Sequence, residues 1–232
     1  MPTLFIANRN YSSWSLRPWV LMRELGIGFK EVLVPFGGDA DYPDFHALSP
    51  SGKVPCLVAD DGTTVWDSLA IAEYLAEDVP AVWPSGRGVR AWARSAAAEM
   101  HAGFAALRGT CTMNCGLRVR LHEVSAPLQA DVQRIDALWR EGLSRFGGPF
   151  LAGGVFTAAD AFFAPVAFRV QTYGIALSPA AMSYAQRLLA LPSMRAWYVA
   201  ALQEPWREPG HEAEVPAIGA IVEDLRQPAG TA

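Results

Sequence analysis

The chain is poor in the residues that build redox and metal sites. Its 232 residues include three cysteines and four histidines. Cys56, Cys111 and Cys115 are an odd number and cannot close a complete disulfide set. Cys111 and Cys115 have the i,i+4 spacing of a helix face, but no second ligand pair stands near to finish a tetrahedral site. They read as small buried or interfacial thiols. His46, His101, His122 and His211 never fall at His-x-x-x-His spacing, so no metal is expected. An excess of positive charge is also missing: 19 Lys and Arg against 23 Asp and Glu leave a net −4. That balance gives nucleic acid or an anionic membrane surface no electrostatic attraction. No apolar run reaches the roughly 18 residues that a membrane span requires. The start, Met1-Pro-Thr-Leu-Phe-Ile-Ala, enters a strand pattern with no basic segment ahead of it. A cytoplasmic location, with neither nucleic-acid nor membrane partners, is the expectation.

A hydrophobic fraction of 51% supports a large core, and the length suits one large or two modest domains. The first 79 residues mix strands and helices. Leu4 to Ala7 is a short apolar strand, and Leu16 to Leu25 repeats apolar residues at helical spacing until Gly26. Phe29 to Val34 reads as a second strand, parallel to the first because a helix separates them. Asp41 to Leu48 suggests a short helix or turn. Val54 to Ala59 and Thr63 to Trp66 flank Asp60-Asp61-Gly62, a hairpin signal that makes these strands antiparallel. A helix follows over Asp67 to Glu77. The order β-α-β-α-β-β-α predicts a mixed four-stranded sheet. Residues 80–88 have the proline and glycine content of a linker. From 89 to 232 every long segment reads as helical: 89–107, 127–146, 159–173, 180–191 and 193–203. Thr157-Ala-Ala-Asp160 forms an Asp variant of the capping box, ahead of an all-apolar helix that should be buried and central. Its interior Pro165 should kink it. The tail from Glu208 carries one short amphipathic stretch, 218–225.

Two motifs carry chemistry. In Ser49-Pro-Ser-Gly-Lys-Val-Pro-Cys-Leu, Pro55 has no backbone N–H, which leaves the groups before it free to face a ligand. In Val65-Trp-Asp-Ser-Leu-Ala-Ile-Ala-Glu-Tyr-Leu, the helix starting at Asp67-Ser68 presents unpaired N–H groups that favour an anion. Together they suggest a grip on a small peptide-like molecule, by backbone pairing at one end and carboxylate capture at the other.

Lys53-Val-Pro-Cys-Leu, Asp67-Ser-Leu-Ala-Ile-Ala-Glu-Tyr-Leu and Thr157-Ala-Ala-Asp160, in this order and spacing, resemble the cytosolic glutathione transferase family over nearly the whole chain. The resemblance implies an α/β plus all-α fold: a thioredoxin-like glutathione-binding domain over 1–79, a linker over 80–88 and an all-helical domain over 89–232 that forms the electrophile pocket. It also implies a cis bond before Pro55, a two-fold homodimer, glutathione as co-substrate and a detoxifying role. The segment Ser12-Ser-Trp-Ser-Leu-Arg17 is similar to the Ser-Ser-Cys-Ser-x-Arg motif of the zeta class, the maleylacetoacetate isomerase-like group, with Trp14 where that class has cysteine. By that match Ser12 is the thiol-activating hydroxyl and Ser13 the next choice; both are also good helix caps.

Glutathione's shape then assigns the other roles. Val54 pairs with the cysteinyl backbone, Ser68 takes the γ-glutamyl carboxylate and Asp67 the γ-glutamyl ammonium. Lys53 or His46 meets the glycyl carboxylate. The alternatives are a plain helix cap for Asp67 and a solvated charge for Lys53. Trp14, Met113, Asn114, Phe168 and Arg169 are the candidates for the electrophile pocket. Arg169, a cation on an apolar helix, needs a partner: either a substrate carboxylate or an internal bridge to Asp136 or Glu99. The arginine with which the zeta class binds substrate aligns with Thr172, and Arg108, Arg118 and Arg120 are nearby cations that would substitute. Three readings follow: conjugation of glutathione to a hydrophobic electrophile, glutathione-dependent isomerisation, or a non-catalytic ligand-binding module.

Overall fold

The computed structural model describes residues 1–36 and 43–229. In the first domain, β1 (Thr3–Ile6), β2 (Lys30–Leu33), β3 (Cys56–Val58) and β4 (Thr64–Trp66) form one sheet in the order β2-β1-β3-β4. α1 (Ser13–Glu24) carries the chain from β1 back to β2, which therefore runs parallel to it. β3 is antiparallel to both β1 and β4. The hairpin turn closes at Gly62, whose φ of +88° suits glycine. α2 (Pro43–Leu48) occupies the later part of the helix expected over 41–48; residues 41 and 42 lie outside the described residues. α3 (Ser68–Asp78) completes the predicted order. The strand expected from Val54 starts only at Cys56, and the bond between Val54 and Pro55 is cis.

The segment 80–88 contains a 3₁₀ turn, Pro80–Val82, and its last two residues already belong to α4 (Arg87–Ala102), so the second domain's first helix starts two residues earlier than expected. After α4 lie α5 (Ala105–Thr110), α6 (Ala126–Phe146), α7 (Ala158–Tyr173), α8 (Pro179–Ala190), α9 (Pro192–Gln203) and α10 (Pro209–Ile218). α7 is buried almost all round and packs against α1, α4 and α8, so it joins the two domains. Asp160 secures its start: one carboxylate oxygen accepts from Leu151 N–H (2.9 Å) and the Tyr184 hydroxyl (2.8 Å), the other from Thr157 N–H (2.9 Å). The helix continues through Pro165.

Two features depart from the sequence reading. The helix expected over 89–107 is two helices, broken at Gly103 and at Phe104, which adopts φ +58°. The second domain is also not purely helical. β5 (Leu117–Leu121) and β6 (Gly219–Asp224) pair antiparallel, and the amphipathic stretch at 218–225 is this second strand. Leu117-Arg-Val-Arg-Leu alternates apolar and charged residues, which is a strand period. Its partner lies about a hundred residues away in sequence, so no local hairpin signal marks the pair.

Candidate active site

A cavity of about 670 Å³ opens between the domains. On one side lies the loop from β1 into α1. Ser12 is the N-cap of α1: its Oγ accepts from Ser15 N–H at 3.4 Å and donates to Ser15 Oγ at 2.7 Å, and Ser15 Oγ also accepts from Ala7 N–H at 3.2 Å. Ser12 is buried, and Ser13, the first helical residue, is half-buried. Both line the cavity. The Ser13 hydroxyl bonds to no described residue, whereas that of Ser12 belongs to the small chain anchored on β1. Tyr11 also lines the cavity, but its hydroxyl donates to Glu212 at 2.7 Å. Burial and then this carboxylate push its pKa well above the ordinary tyrosine value. A phenol so committed is a poor partner for a thiolate.

Val54 and Lys53 lie on the same wall. Neither the N–H nor the carbonyl of Val54 pairs with another described backbone group, which leaves both for a peptide-like ligand. Pro55 is buried behind it. His46 sits outside the cavity, its ring packed so close to Gly52 that a Cβ there would fall 2.3 Å from it. Asp67 holds φ +74°, a strained conformation for a non-glycine residue, and its Oδ1 caps Leu69 N–H at 2.8 Å. Its Oδ2 faces His101 Nε2 at 3.6 Å. Ser68 is buried, with the Arg17 Nη1 at 3.5 Å from its Oγ. Neither Asp67 nor Ser68, both expected to bind the γ-glutamyl end, is among the residues that line the cavity.

The second domain contributes Arg108 and Arg169 to the lining, and Arg17 of α1 lies close by without lining it. The guanidinium carbons of Arg17 and Arg108 lie 4.1 and 4.5 Å from the Trp14 ring centre, which is cation–π distance. Arg17 is 2% exposed and its Nε has no partner among the described residues. Burial, then the neighbouring Arg169 and Arg108, lower its pKa to about 9, so it stays charged at neutral pH. Arg169 lines the cavity and donates from Nε to the Cys111 carbonyl at 2.8 Å. Burial and Arg108 bring its pKa down to about 10. Neither internal bridge expected for Arg169 forms: Asp136 pairs with Arg140, and Glu99 with Arg134. Arg118 points elsewhere, to the Cys115 and Leu117 carbonyls. Met113 lines the cavity; Asn114 and Phe168 are buried outside it, with Asn114 O accepting from Thr172 Oγ1 at 2.6 Å. Cys111 and Cys115 are buried thiols, and burial raises both pKa values, that of Cys111 to about 11. Among the described residues no cluster of ligands could hold a metal, and no helix is long and apolar enough to cross a membrane.

Sequence reasoning missed the C-terminal contribution. α10 brings His211 and Glu214 to the cavity. Arg226, just beyond β6, binds Glu212 and Asp224 and so ties the tail to Tyr11 through Glu212. No short motif signals this; only the β-strand pattern at 117–121 and the β-branched pair at 221–222 hint that the tail returns.

A mixed-sheet domain that sets a helix N-terminus and a cis-proline loop against a helical domain defines a two-domain transferase class. The Glutathione S-transferase N-terminal domain matches residues 11–78 and its C-terminal domain residues 90–200, and the chain belongs to the glutathione S-transferase family. It is 26% identical to maleylacetoacetate isomerase of Rattus norvegicus over 222 residues, covering 92% of this chain and 97% of that protein. It is 35% identical to glutathione S-transferase GstA of Escherichia coli O157:H7 over 106 residues, which is 40% of this chain and 51% of that protein. Among solved structures, a sphingomonad glutathione S-transferase complexed with glutathione superposes with TM-score 0.62 at 26% identity, over 86% of this chain and 98% of that one. A Burkholderia glutathione transferase homologue with bound glutathione gives TM-score 0.64 at 24% identity, over 86% of this chain and 97% of that one, a likeness of fold.

Proposed function

We propose that this protein binds glutathione and activates its thiol for attack on a small electrophile that carries an anionic group. The observation that carries the reading is the two-sided cavity. From the first domain come Ser12 and Val54, whose backbone pairs with no described backbone group, and from the second Arg108 and Arg169, neither bonded to a described carboxylate. The cysteinyl backbone pairs with Val54, and the γ-glutamyl end meets Ser68, Asp67 and the start of α3. Lys53 is the cation nearest to the glycyl end.

A free thiol, with pKa about 8.5, is only a few per cent ionised at pH 7. Lowering that pKa by about two units takes roughly 2.7 kcal/mol of preference for the thiolate. A hydroxyl donating to sulfur contributes about 1.5–3 kcal/mol and a helix N-terminus about 1 more. Ser12 has both. It need not lose its own proton: when a thiolate arrives, Ser15 can donate to Ser12 and Ser12 to sulfur, because Ala7 N–H already fills an acceptor position on Ser15. The guanidinium groups then hold the electrophile's anionic group through charge-assisted hydrogen bonds.

The second reading, a glutathione-dependent isomerase, draws on the likeness to maleylacetoacetate isomerase across 97% of that protein's length. Trp14 in place of cysteine and Thr172 in place of arginine count against transferring it whole. Comparing turnover of a chloronitrobenzoate with turnover of a maleyl compound separates the two; inactivity on both, with no lowering of the bound thiol's pKa, would leave a ligand-binding module. A two-fold homodimer in the cytoplasm belongs to the same reading, and sedimentation of the purified chain tests the pairing.

A further inference from the structure

His211 is a titratable group on the cavity wall for which thiol activation has no use. Its ring stacks on Tyr11 with centroids 4.9 Å apart and on Phe36 at 5.4 Å. Its Nδ1 lies 2.6 Å from Glu208 Oε2, which also accepts from His211 N–H at 2.6 Å. Burial pushes the Glu208 carboxyl up, but the bonds from the His211 backbone and ring outweigh it and hold its pKa below the usual glutamate value. The imidazole is therefore fixed in position, with Nδ1 committed to a carboxylate. Nε2 bonds to no described residue, and the side chain keeps 28% of its surface open. A carboxylate–imidazole pair on a residue that lines a ligand cavity, with the second ring nitrogen bonded to no described residue, is the arrangement of a proton donor or acceptor.

The other charged groups around it have other partners or positions. Glu212 is taken by Tyr11 and Arg226, Glu214 is exposed on the same helix, and Lys53, Arg108 and Arg169 stand elsewhere on the cavity wall. Arg207 beside the tail donates to the Glu204 carbonyl at 2.8 Å. None of these supplies a proton at the same place.

Resting on the glutathione reading above, we propose that His211 is the proton donor to the carbanion formed when the glutathione thiolate adds to an α,β-unsaturated carbonyl compound. The sulfur–carbon bond forms at the β carbon, the alkene π bond breaks, and its electron pair moves onto the α carbon and carbonyl oxygen. His211 in its protonated form gives Nε2–H to the α carbon, closing the thioether adduct, and the neutral imidazole stays on Glu208. Solvent reprotonates it, balancing the proton that the thiol releases when it ionises. Without that proton the same carbanion rotates and expels the thiolate, and the alkene leaves with its geometry inverted. His211 thus decides between two fates of one intermediate: conjugation when it donates, isomerisation when it does not.

The test is the product ratio on one cis-configured enone acid, thioether adduct against released trans alkene, for the wild-type chain and for His211→Phe, which keeps a stacking ring but has no proton to give. The ratio is internal to each enzyme, so a partly misfolded variant or weaker thiol activation does not move it. The expected result is a fall of at least tenfold in adduct over trans alkene, with Glu208→Gln intermediate, and loss in His211→Phe of the pH dependence that the wild-type ratio shows. An unchanged ratio, or a wild-type enzyme that releases only trans alkene, overturns the assignment. Calorimetric titration with glutathione separates the levels: binding with an unchanged ratio sinks His211 alone, and no binding sinks the glutathione reading with it.

Discussion

Replacing Ser12 by alanine tests the centre of the proposed chemistry. The variant removes one hydroxyl donor that is buried, sits at the start of α1 and is linked through Ser15 to the Ala7 amide. A charge-assisted hydrogen bond of about 1.5–3 kcal/mol corresponds to roughly one to two pKa units on the bound thiol. If the intact site holds that thiol near 6.5, about three quarters is thiolate at pH 7; the variant keeps between about a quarter and a few per cent. The kcat/KM at pH 7 should fall about 3- to 25-fold from this effect alone. The loss should shrink as pH rises and vanish above about pH 9.5, where both enzymes hold a full thiolate. The cap bond to Ser15 N–H is long at 3.4 Å, so the stability cost is expected at the low end for a cap, about 0.5–1 kcal/mol. The assay is the thiolate absorbance of the glutathione complex, titrated for the wild type, Ser12→Ala and Ser13→Ala. A titration curve unmoved by Ser12→Ala but shifted by Ser13→Ala would refute the reasoning and make the open Ser13 hydroxyl the donor.

Three other outcomes are expected. Arg169→Met should lower kcat/KM for a carboxylated electrophile about 10- to 100-fold relative to its neutral methyl ester, the loss of one charged hydrogen-bonding partner; equal losses on both substrates would mean that Arg169 only shapes the wall. Asp160→Ala orphans the Leu151 and Thr157 amides and the Tyr184 hydroxyl, all bonded to a fully buried carboxylate. That should cost about 3–5 kcal/mol. The resulting drop in Tm is about 6–20 °C, and a change below 3 °C in a thermal melt would contradict it. For Glu212, burial raises the pKa, but hydrogen bonds from Arg226 and Tyr11 more than offset it, so the folded value lies below the usual 4.5. Its stabilisation of the tail is therefore full above that value and lost as pH falls through the folded one. Limited proteolysis after residue 204 should accelerate on acidification in the wild type, while Glu212→Gln should be cut faster at neutral pH and respond less to acid.

Much of the fold was readable because its signals are local. The short apolar run of β1, the hairpin at Asp60-Asp61-Gly62 and the Thr157–Asp160 box each act within a few residues and need no distant partner. The break at 103–104 escaped because Gly103, a weak helix former and the C-cap of α4, stands between alanine-rich stretches of high helix propensity, and Phe104 follows it at positive φ. The β5–β6 pair escaped because each short strand is stabilised by the other, and pairing at long sequence separation leaves no mark in either window. At the site, Ser12, Ser13, Lys53 and Val54, nominated from loop and cap motifs, all line the cavity. Phe168 and Asn114 do not: Phe168 sits on a helix that is apolar all round and gives no periodicity from which to read a ligand side, and Asn114 lies in the coil between α5 and β5.

By itself, then, the sequence determined the family and the fold of its two parts, and it nominated the loop and cap residues from which the proposed glutathione site is built, because such motifs encode backbone geometry directly. The three-dimensional structure decided the rest. It brought Arg17, Arg108 and Trp14 into one stack, left Arg169 without a carboxylate partner among the described residues, and folded the tail back so that His211 reached the cavity. Those are contacts among residues distant in sequence, set by how helices pack and where a returning strand finds an edge, and side-chain chemistry read one segment at a time contains no record of them.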